Sequence, residues 1–263
     1  MGLPTHDDET LREKMSNHGP RHTAEKAGGT FVDDGLRGFY EAEGLRPIPK
    51  ELKRVDLWRA SLLMRMAKVS RDERVLDVGA GAGWAYSGRA APGRVVALDL
   101  AMTRLATIRC NCDDVPCAQG NAESLPFRPR SADVVICSEV LEHLLSPQKA
   151  VEEIARTLRR GGRTIISVPN NEEIVEAVCL HCHRRFPVHG HLSRFSAGRL
   201  REMLASCGLK PKCVSVIGTR AVTAALRIFP SCPHRLLAVF DFLGRAVGMR
   251  GRWVVVGSEK TVE

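Results

Sequence analysis

The sequence predicts a doubly wound α/β domain. Three observations carry that prediction. Short β-rich runs recur at the spacing of β-α units, a glycine-rich turn follows the first run directly, and an acidic residue closes the second. Strands that alternate with helices pair in parallel through right-handed crossovers. Such sheets keep their ligands in a crevice outside the carboxyl ends of the strands.

In chain order, residues 1–30 carry His, Asp, Glu, Lys, Gly and Pro without apolar periodicity, which predicts a mobile polar tail before a single domain over 31–263. From Glu51 to Met66 the set Leu52, Val55, Leu62, Leu63 and Met66, with Trp58, lies on one helical face. Strands are expected at Arg74 to Val78, Arg94 to Leu98, Val115 to Gln119, Asp133 to Cys137 and Arg163 to Val168. Between the last two, Ser146 reads as an N-cap and Pro147 as the first helical residue. Val151, Ile154, Ala155 and Leu158 then recur at i, i+3, i+4 and i+7, and Gly161 reads as the stop. A second helix is expected from Ser196 to Cys207, with Leu200, Met203 and Leu204 inward and Gly208 ending it.

Two more strands are expected, Cys213 to Ile217 and Trp253 to Val256. A helical insert at 219–250 separates them, holding two amphipathic segments on either side of Pro230 and Pro233. The first groups Val222, Ala225, Leu226 and Phe229, the second Leu236, Phe240, Leu243 and Val247. The insert reads as a substrate lid, a dimer face or a membrane-surface patch, and exposure of Phe229 and Phe240 would favour the last two.

The chain has 263 residues, 44% of them hydrophobic, enough apolar surface for a core. Its net charge of +9 suits anionic partners such as nucleic acid, phosphorylated metabolites or acidic headgroups. Only 5% of residues are aromatic, so a stacking platform for single-stranded nucleic acid is poorly supplied. No apolar run approaches the roughly 20 residues of a transmembrane helix. Residues 1–17 are polar and acidic rather than signal-like, so the expectation is a cytoplasmic protein, with peripheral membrane contact left to the insert. Nine cysteines without a signal segment predict reduced thiols and room for one metal site rather than a disulfide frame.

The chemistry is concentrated at the strand ends. The first run leads into Asp77-Val-Gly79-Ala-Gly81-Ala-Gly83, where glycines let backbone approach a ligand closely. Twenty residues past Gly79 stands Asp99, an acid placed to accept both hydrogen bonds of a ribose diol. A dinucleotide fingerprint would want its third glycine at position 84, which is Trp84 instead. Asp77 also suits a cationic, amino-acid-bearing ligand.

Taken in order, VLDVGAGAG, VVALD, GNAESLPF, ADVVICSEVLEHL and RRGGRTIISVPN resemble the successive motifs of class I S-adenosylmethionine-dependent methyltransferases related to the quinone-biosynthesis methyltransferases. The resemblance spans about residues 70 to 210. It implies a Rossmann-like, mostly parallel seven-stranded sheet with an antiparallel final strand, and S-adenosylmethionine as cofactor. Gly79, Ala80 and Gly81 would line its methionine part, with Asp77 and Gly83 in the same loop, and Ser138 would border that end. Asp99 would bind the ribose with Leu100 beside it, and Asn121, Ala122 and Glu123 would meet the adenine. The family usually has Asp where Asn121 stands, but an amide oxygen can still accept from the adenine amino group.

Ser138-Glu139-Val-Leu-Glu142-His143 follows the fourth strand. His143 or Glu139 can serve there as a general base. Alternatively, Glu139, Glu142 and His143 bind a divalent cation, as the similar E-x-x-E-H segment does in some RNA 2′-hydroxyl and some catechol-type quinone methyltransferases. In a third reading the segment only shapes the pocket. Further on, Cys179 and Cys182 form a C-x-x-C that His189 and His191 can complete as a tetrahedral zinc site. The bland alternatives are a free-thiol loop, or His191 alone facing the active site. Zinc is the favoured metal and magnesium the other.

Neither an Asn/Asp-Pro-Pro-aromatic motif nor a Pro-Cys nucleophile follows the fourth strand, which disfavours exocyclic-amine and cytosine-C5 methylation. The expectation is O- or C-methylation of a small-molecule or lipid-like acceptor. A nucleic-acid methyltransferase and a non-catalytic cofactor-binding partner protein are the alternatives.

Overall fold

Strands buried on both faces must be apolar on both, and the runs at 134–137 and 253–256 are. The computed structural model describes residues 37–42, 50–83, 94–112, 114–181, 183, 185–229 and 231–261. The tail expected at 1–30 and the expected zinc ligand Cys182 lie outside the described residues. Seven strands, β1 (Arg74–Val78), β2 (Arg94–Asp99), β3 (Cys117–Gln119), β4 (Ala132–Ser138), β5 (Leu158–Pro169), β8 (Leu209–Ile217) and β9 (Trp253–Lys260), form one sheet. Its order is β3-β2-β1-β4-β5-β9-β8. β1 pairs in parallel with β2 on one side and with β4 on the other, Val75 standing opposite both Val95 and Val134. β9 runs antiparallel to β5 and to β8, so the final strand alone is reversed, as expected. A separate hairpin pairs β6 (Glu176–Val178) with β7 (Arg185–Pro187).

Side chains alternate across the sheet and build two cores. On one face Val75, Ala97 and Ile136 pack with Trp58 and Leu63 of α1 (Lys50–Ala67) and with Leu105 and Ile108 of α2 (Met102–Asn111). On the other, Leu76, Val135 and Ile166 pack with Val151 and Ile154 of α3 (Pro147–Thr157) and with Leu200 and Leu204 of α4 (Ala197–Ser206). Each such side chain contributes about 1.5–3 kcal/mol of burial. The reversal of strand order at β1, from which β2 lies on one side and β4 on the other, opens a crevice at the carboxyl ends of β1, β2 and β4.

Several local expectations change. α3 stops at Thr157 rather than Gly161, because Leu158 already pairs with Ala132 in the sheet. Gly161, at φ +66, belongs to the irregular start of β5 instead. Ser146 stands at the N-cap position of α3 but its hydroxyl makes no cap bond. The Glu123 carboxylate accepts from Ser146 N–H at 2.8 Å instead. Ser196 does cap α4, accepting from Arg199 N–H at 3.2 Å, and Gly208 ends that helix at φ +71.

The insert folds into α5 (Arg220–Ile228) and α6 (His234–Ala246). α5 buries Val222, Ala225 and Leu226 as expected, but Phe229 is 59% exposed. α6 turns inward a different face from the one its apolar spacing suggests. Leu237, Asp241 and Gly244 are buried, Phe240 is half-buried, and Leu236, Leu243 and Val247 face outward. Two local contacts select that face. The Asp241 carboxylate accepts from Thr219 N–H at 2.7 Å, and a Cβ on Gly244 would stand 2.5 Å from Thr219 Oγ1. A buried hydrogen bond and a close backbone approach prevail over a stripe of apolar side chains.

Candidate functional site

The turn after β1 is tied to β2. The N–H groups of Gly79 and Ala80 both donate to Leu98 O, at 2.8 and 2.9 Å. Gly79 lies at φ +69, and a Cβ there would stand 2.2 Å from Val140 Cγ2, so only glycine fits. Gly81, at φ +56, faces open space, and its N–H donates to Asp99 Oδ2 at 2.8 Å. Asp99 Oδ1 accepts from Ala101 N–H at 2.9 Å. Burial pushes the Asp99 carboxyl above its ordinary range, and these backbone donors pull it back. The acid at the end of β2 therefore sets the glycine loop as well as facing the crevice.

A cavity of about 380 Å³ occupies that crevice, within the usual size of small-molecule sites. Asp77, Gly79, Ala80, Gly81, Asp99, Leu100, Asn121, Ala122 and Ser138, all expected at the cofactor, line it. Gly83 and Glu123 do not. Gly83 closes the turn at φ +72, its N–H donating to Ala80 O at 2.9 Å. Glu123 sends its carboxylate to Ser146 N–H at the start of α3. Asn121 is both a liner and a turn residue, because its Oδ1 accepts from Glu123 N–H at 2.8 Å. That oxygen keeps a second lone pair for an adenine amino group. The cradle fits S-adenosylmethionine: a glycine loop beside an acid for the aminoacid end, a carboxylate for the ribose, and an amide with an apolar neighbour for the base.

The other end of the cavity carries Glu139 and His143. Glu139 takes the left-handed conformation, φ +57, as its N–H donates to Ser167 O. Its carboxylate accepts from Ser167 Oγ at 3.0 Å and pairs with Arg59 at 3.1 Å. Burial raises its proton affinity and Arg59 lowers it again. Both carboxylate oxygens are thus engaged by neighbouring side chains. His143 Nδ1 lies 3.1 Å from Gly190 O. A carbonyl only accepts, so Nδ1 carries the proton and Nε2 presents a lone pair. Burial, reinforced by His191, lowers the His143 pKa to about 4, not the near-neutral value a free-standing base would have. The ring is thus neutral and fixed in one tautomer.

The backbone N–H groups of Leu192 and Ser193 both donate to Glu142 O, which brings His191 against His143 with ring centroids 4.7 Å apart. Ligand atoms of Glu142, His143 and His191 lie within 4.8 Å of one another. Glu142 is 1% exposed, and among the described residues neither carboxylate oxygen has a hydrogen-bond partner. Burial first and Glu139 second push its carboxyl well up. His191 Nδ1 lies 2.6 Å from Glu172 Oε2. This grouping differs from the expected cysteine-histidine knuckle. Cys179 sits just after β6 and His189 is 6.0 Å from His191 ring to ring, but neither belongs to the close group among the described residues.

Sequence reasoning missed the wall that α1 supplies. Asp56, Arg59, Ala60, Leu63 and Met64 line the cavity at i, i+3, i+4, i+7 and i+8. Arg59 bridges Asp56 and Glu139, and its guanidinium lies 4.7 Å from the Trp253 ring centroid. The signal was present as two charged residues on the apolar face of that helix.

Residues 76–166 match the family described as "Methyltransferase domain". A protein named as an S-adenosylmethionine-dependent methyltransferase in Mycolicibacterium smegmatis is 29% identical over 183 residues, 68% of this chain and 68% of that one. A demethylmenaquinone methyltransferase of Clavibacter sepedonicus is 37% identical over 114 residues, 42% of this chain and 46% of that one. The chain thus spans about half the length of several curated relatives it matches. In fold it resembles a structure named as the complex between the Haloferax volcanii Trm112 methyltransferase activator and a methyltransferase. That likeness has a TM-score of 0.61 and 21% identity, covering 87% of this chain and 98% of that one.

Proposed function

We propose, starting from a chain that carries the S-adenosylmethionine-dependent methyltransferase domain, that it places the donor's methyl group on an oxygen or carbon of a small-molecule or lipid-like acceptor. One observation supports this reading above the rest. A single cavity joins the glycine loop, Asp99 and Asn121 at one end to Glu139 and His143 at the other. Donor and acceptor would then meet in one crevice.

The sulfonium supplies an already activated methyl group, so the protein's task is alignment, exclusion of water and removal of a proton. Asp99 and the glycine loop fix the donor. Leu63, Met64, Ile136 and Leu144 give the cavity its apolar wall. His143 Nε2 accepts the acceptor's proton or a hydrogen bond from it, with Gly190 O holding the ring. The Arg59–Glu139 pair positions the α1 wall against β4.

As an alternative to His143 as a base, Glu142, His143 and His191 would hold a divalent cation, with His143 Nε2 a ligand instead of a proton acceptor. Two imidazoles, each with its other nitrogen engaged, and one buried carboxylate make a ligand set for zinc or manganese more than for magnesium, which prefers oxygen and water. Such an ion would supply a Lewis acid that makes an acceptor hydroxyl easier to deprotonate.

The test is methyl transfer from labelled S-adenosylmethionine to fractionated lipid and polar extracts and to total RNA, with Mn²⁺ or Zn²⁺ titrated by calorimetry into wild type and His191→Ala. Label in the metabolite or lipid fraction, lost in His143→Ala, supports the proposal. Label in RNA alone overturns the acceptor class. Equal metal affinity in His191→Ala overturns the cation site.

A further inference from the structure

We infer that the α5–α6 insert is a docking surface for an anionic lipid bilayer. α6 is pinned by its polar face: Asp241 accepts from Thr219 N–H, and Gly244 packs against Thr219 and Ala221. That leaves its apolar face outward. Leu236, Val239, Phe242, Leu243 and Val247 are between 50% and 74% exposed, and Phe229 at the end of α5 is 59% exposed. Residues 236, 239, 243 and 247 follow at i, i+3, i+7 and i+11, one stripe along the helix. Leu237, Asp241 and Gly244 are buried on the opposite side, so this stripe is not a displaced core face.

The charges around the stripe commit it to one partner chemistry. Arg220, Arg227, Arg235, Arg245, Arg250 and Arg252 are all exposed. The one acid between 219 and 252 is Asp241, 2% exposed and held by Thr219 and Arg245. An outward apolar stripe with arginines at both ends and no exposed acid is the pattern of a helix that lies in a bilayer interface and reads negative headgroups. A stripe that closes over the cavity or pairs with a second copy would have no need of so basic an exposed sequence around it. The insert also packs on α1, where Val222, Leu226 and Leu237 share a core with Trp58 and Leu63, and Arg54 donates to Cys232 O at 3.1 Å. The docking face is therefore backed by the helix that walls the cavity. The inference does not depend on the identity of the methyl acceptor.

The full chain is mixed with vesicles of phosphatidylcholine alone and with vesicles half phosphatidylglycerol, and partitioning is read by co-sedimentation at low and high salt. Binding to the anionic vesicles, at least about tenfold weaker on the neutral ones and reduced by salt, is expected. Arg227→Glu with Arg235→Glu should weaken it by at least about tenfold. Phe242→Glu with Leu243→Glu should abolish it, and both variants should keep the wild-type melting temperature because the changed side chains are exposed. Absence of vesicle binding by wild type overturns the inference. So does a concentration-dependent dimer that Phe242→Glu dissociates, which would assign the stripe to a second copy.

Discussion

Replacing Asp99 by Ala removes a carboxylate that acts in two directions. Toward the protein it accepts from Gly81 N–H at 2.8 Å and Ala101 N–H at 2.9 Å, and toward the cavity it offers the remaining lone pairs to a ribose diol. Hydrogen bonds to a charged group contribute about 1.5–3 kcal/mol each, so losing two to the ribose costs about 3–6 kcal/mol. That corresponds to roughly a 10²- to 10⁴-fold rise in Kd. The loop bonds add a second effect, because the glycine turn loses the acceptor that sets Gly81. Unlike a purely ligand-facing residue, Asp99 should therefore also affect the melting temperature, by roughly 2–4 °C per kcal/mol lost. The assay is calorimetric titration with S-adenosylhomocysteine, with thermal melts of wild type, Asp99→Ala and Asp99→Asn. The Asn variant keeps one backbone acceptor and should fall between the other two. A folded Asp99→Ala protein that binds within a factor of about three of wild type would refute the reasoning.

Gly79→Ala should abolish ligand binding and lower the melting temperature, since its Cβ would meet Val140 Cγ2 at 2.2 Å from a φ of +69; Val140→Ala in the same chain should restore part of the stability. Asp241→Ala strands the buried Thr219 N–H and should cost about 1–3 kcal/mol, read as a lower urea midpoint with the m-value unchanged. The Arg163 side chain beside Glu73 lowers that carboxyl from 4.5 to about 2. Its folded pKa lies below its unfolded one, so the stabilisation is complete above pH 4.5 and is lost as pH falls toward 2. Glu73→Gln should flatten the acid limb of a stability-against-pH curve over that window.

What the sequence made legible is what short-range rules determine. The glycine turn, Asp99 and the order of the strands follow from local spacing and from where a parallel sheet must put its strand ends. Asn121 and Ala122 reach the cavity for the same reason. The inward face of α6 was not legible, because a hydrogen bond from Thr219, 22 residues away, decides it against the apolar period. Nor was the meeting of His191 with His143 and Glu142, which depends on two backbone bonds from residues 192 and 193 to Glu142 O. Spacing along the chain offered His191 either to Cys179 and Cys182 or to the active site alone, and the fold packs its ring against His143. Glu123 sends its carboxylate to the N–H of Ser146 at the start of α3 rather than into the cavity lining, a helix-end requirement its own motif does not reveal.

The account stands most directly on what the cavity binds. The purified protein titrated calorimetrically with S-adenosylmethionine and, separately, with NADH should bind the sulfonium ligand at one site per chain and show no heat with the dinucleotide. Binding of NADH without S-adenosylmethionine would contradict the reading of the glycine loop and of everything built upon it.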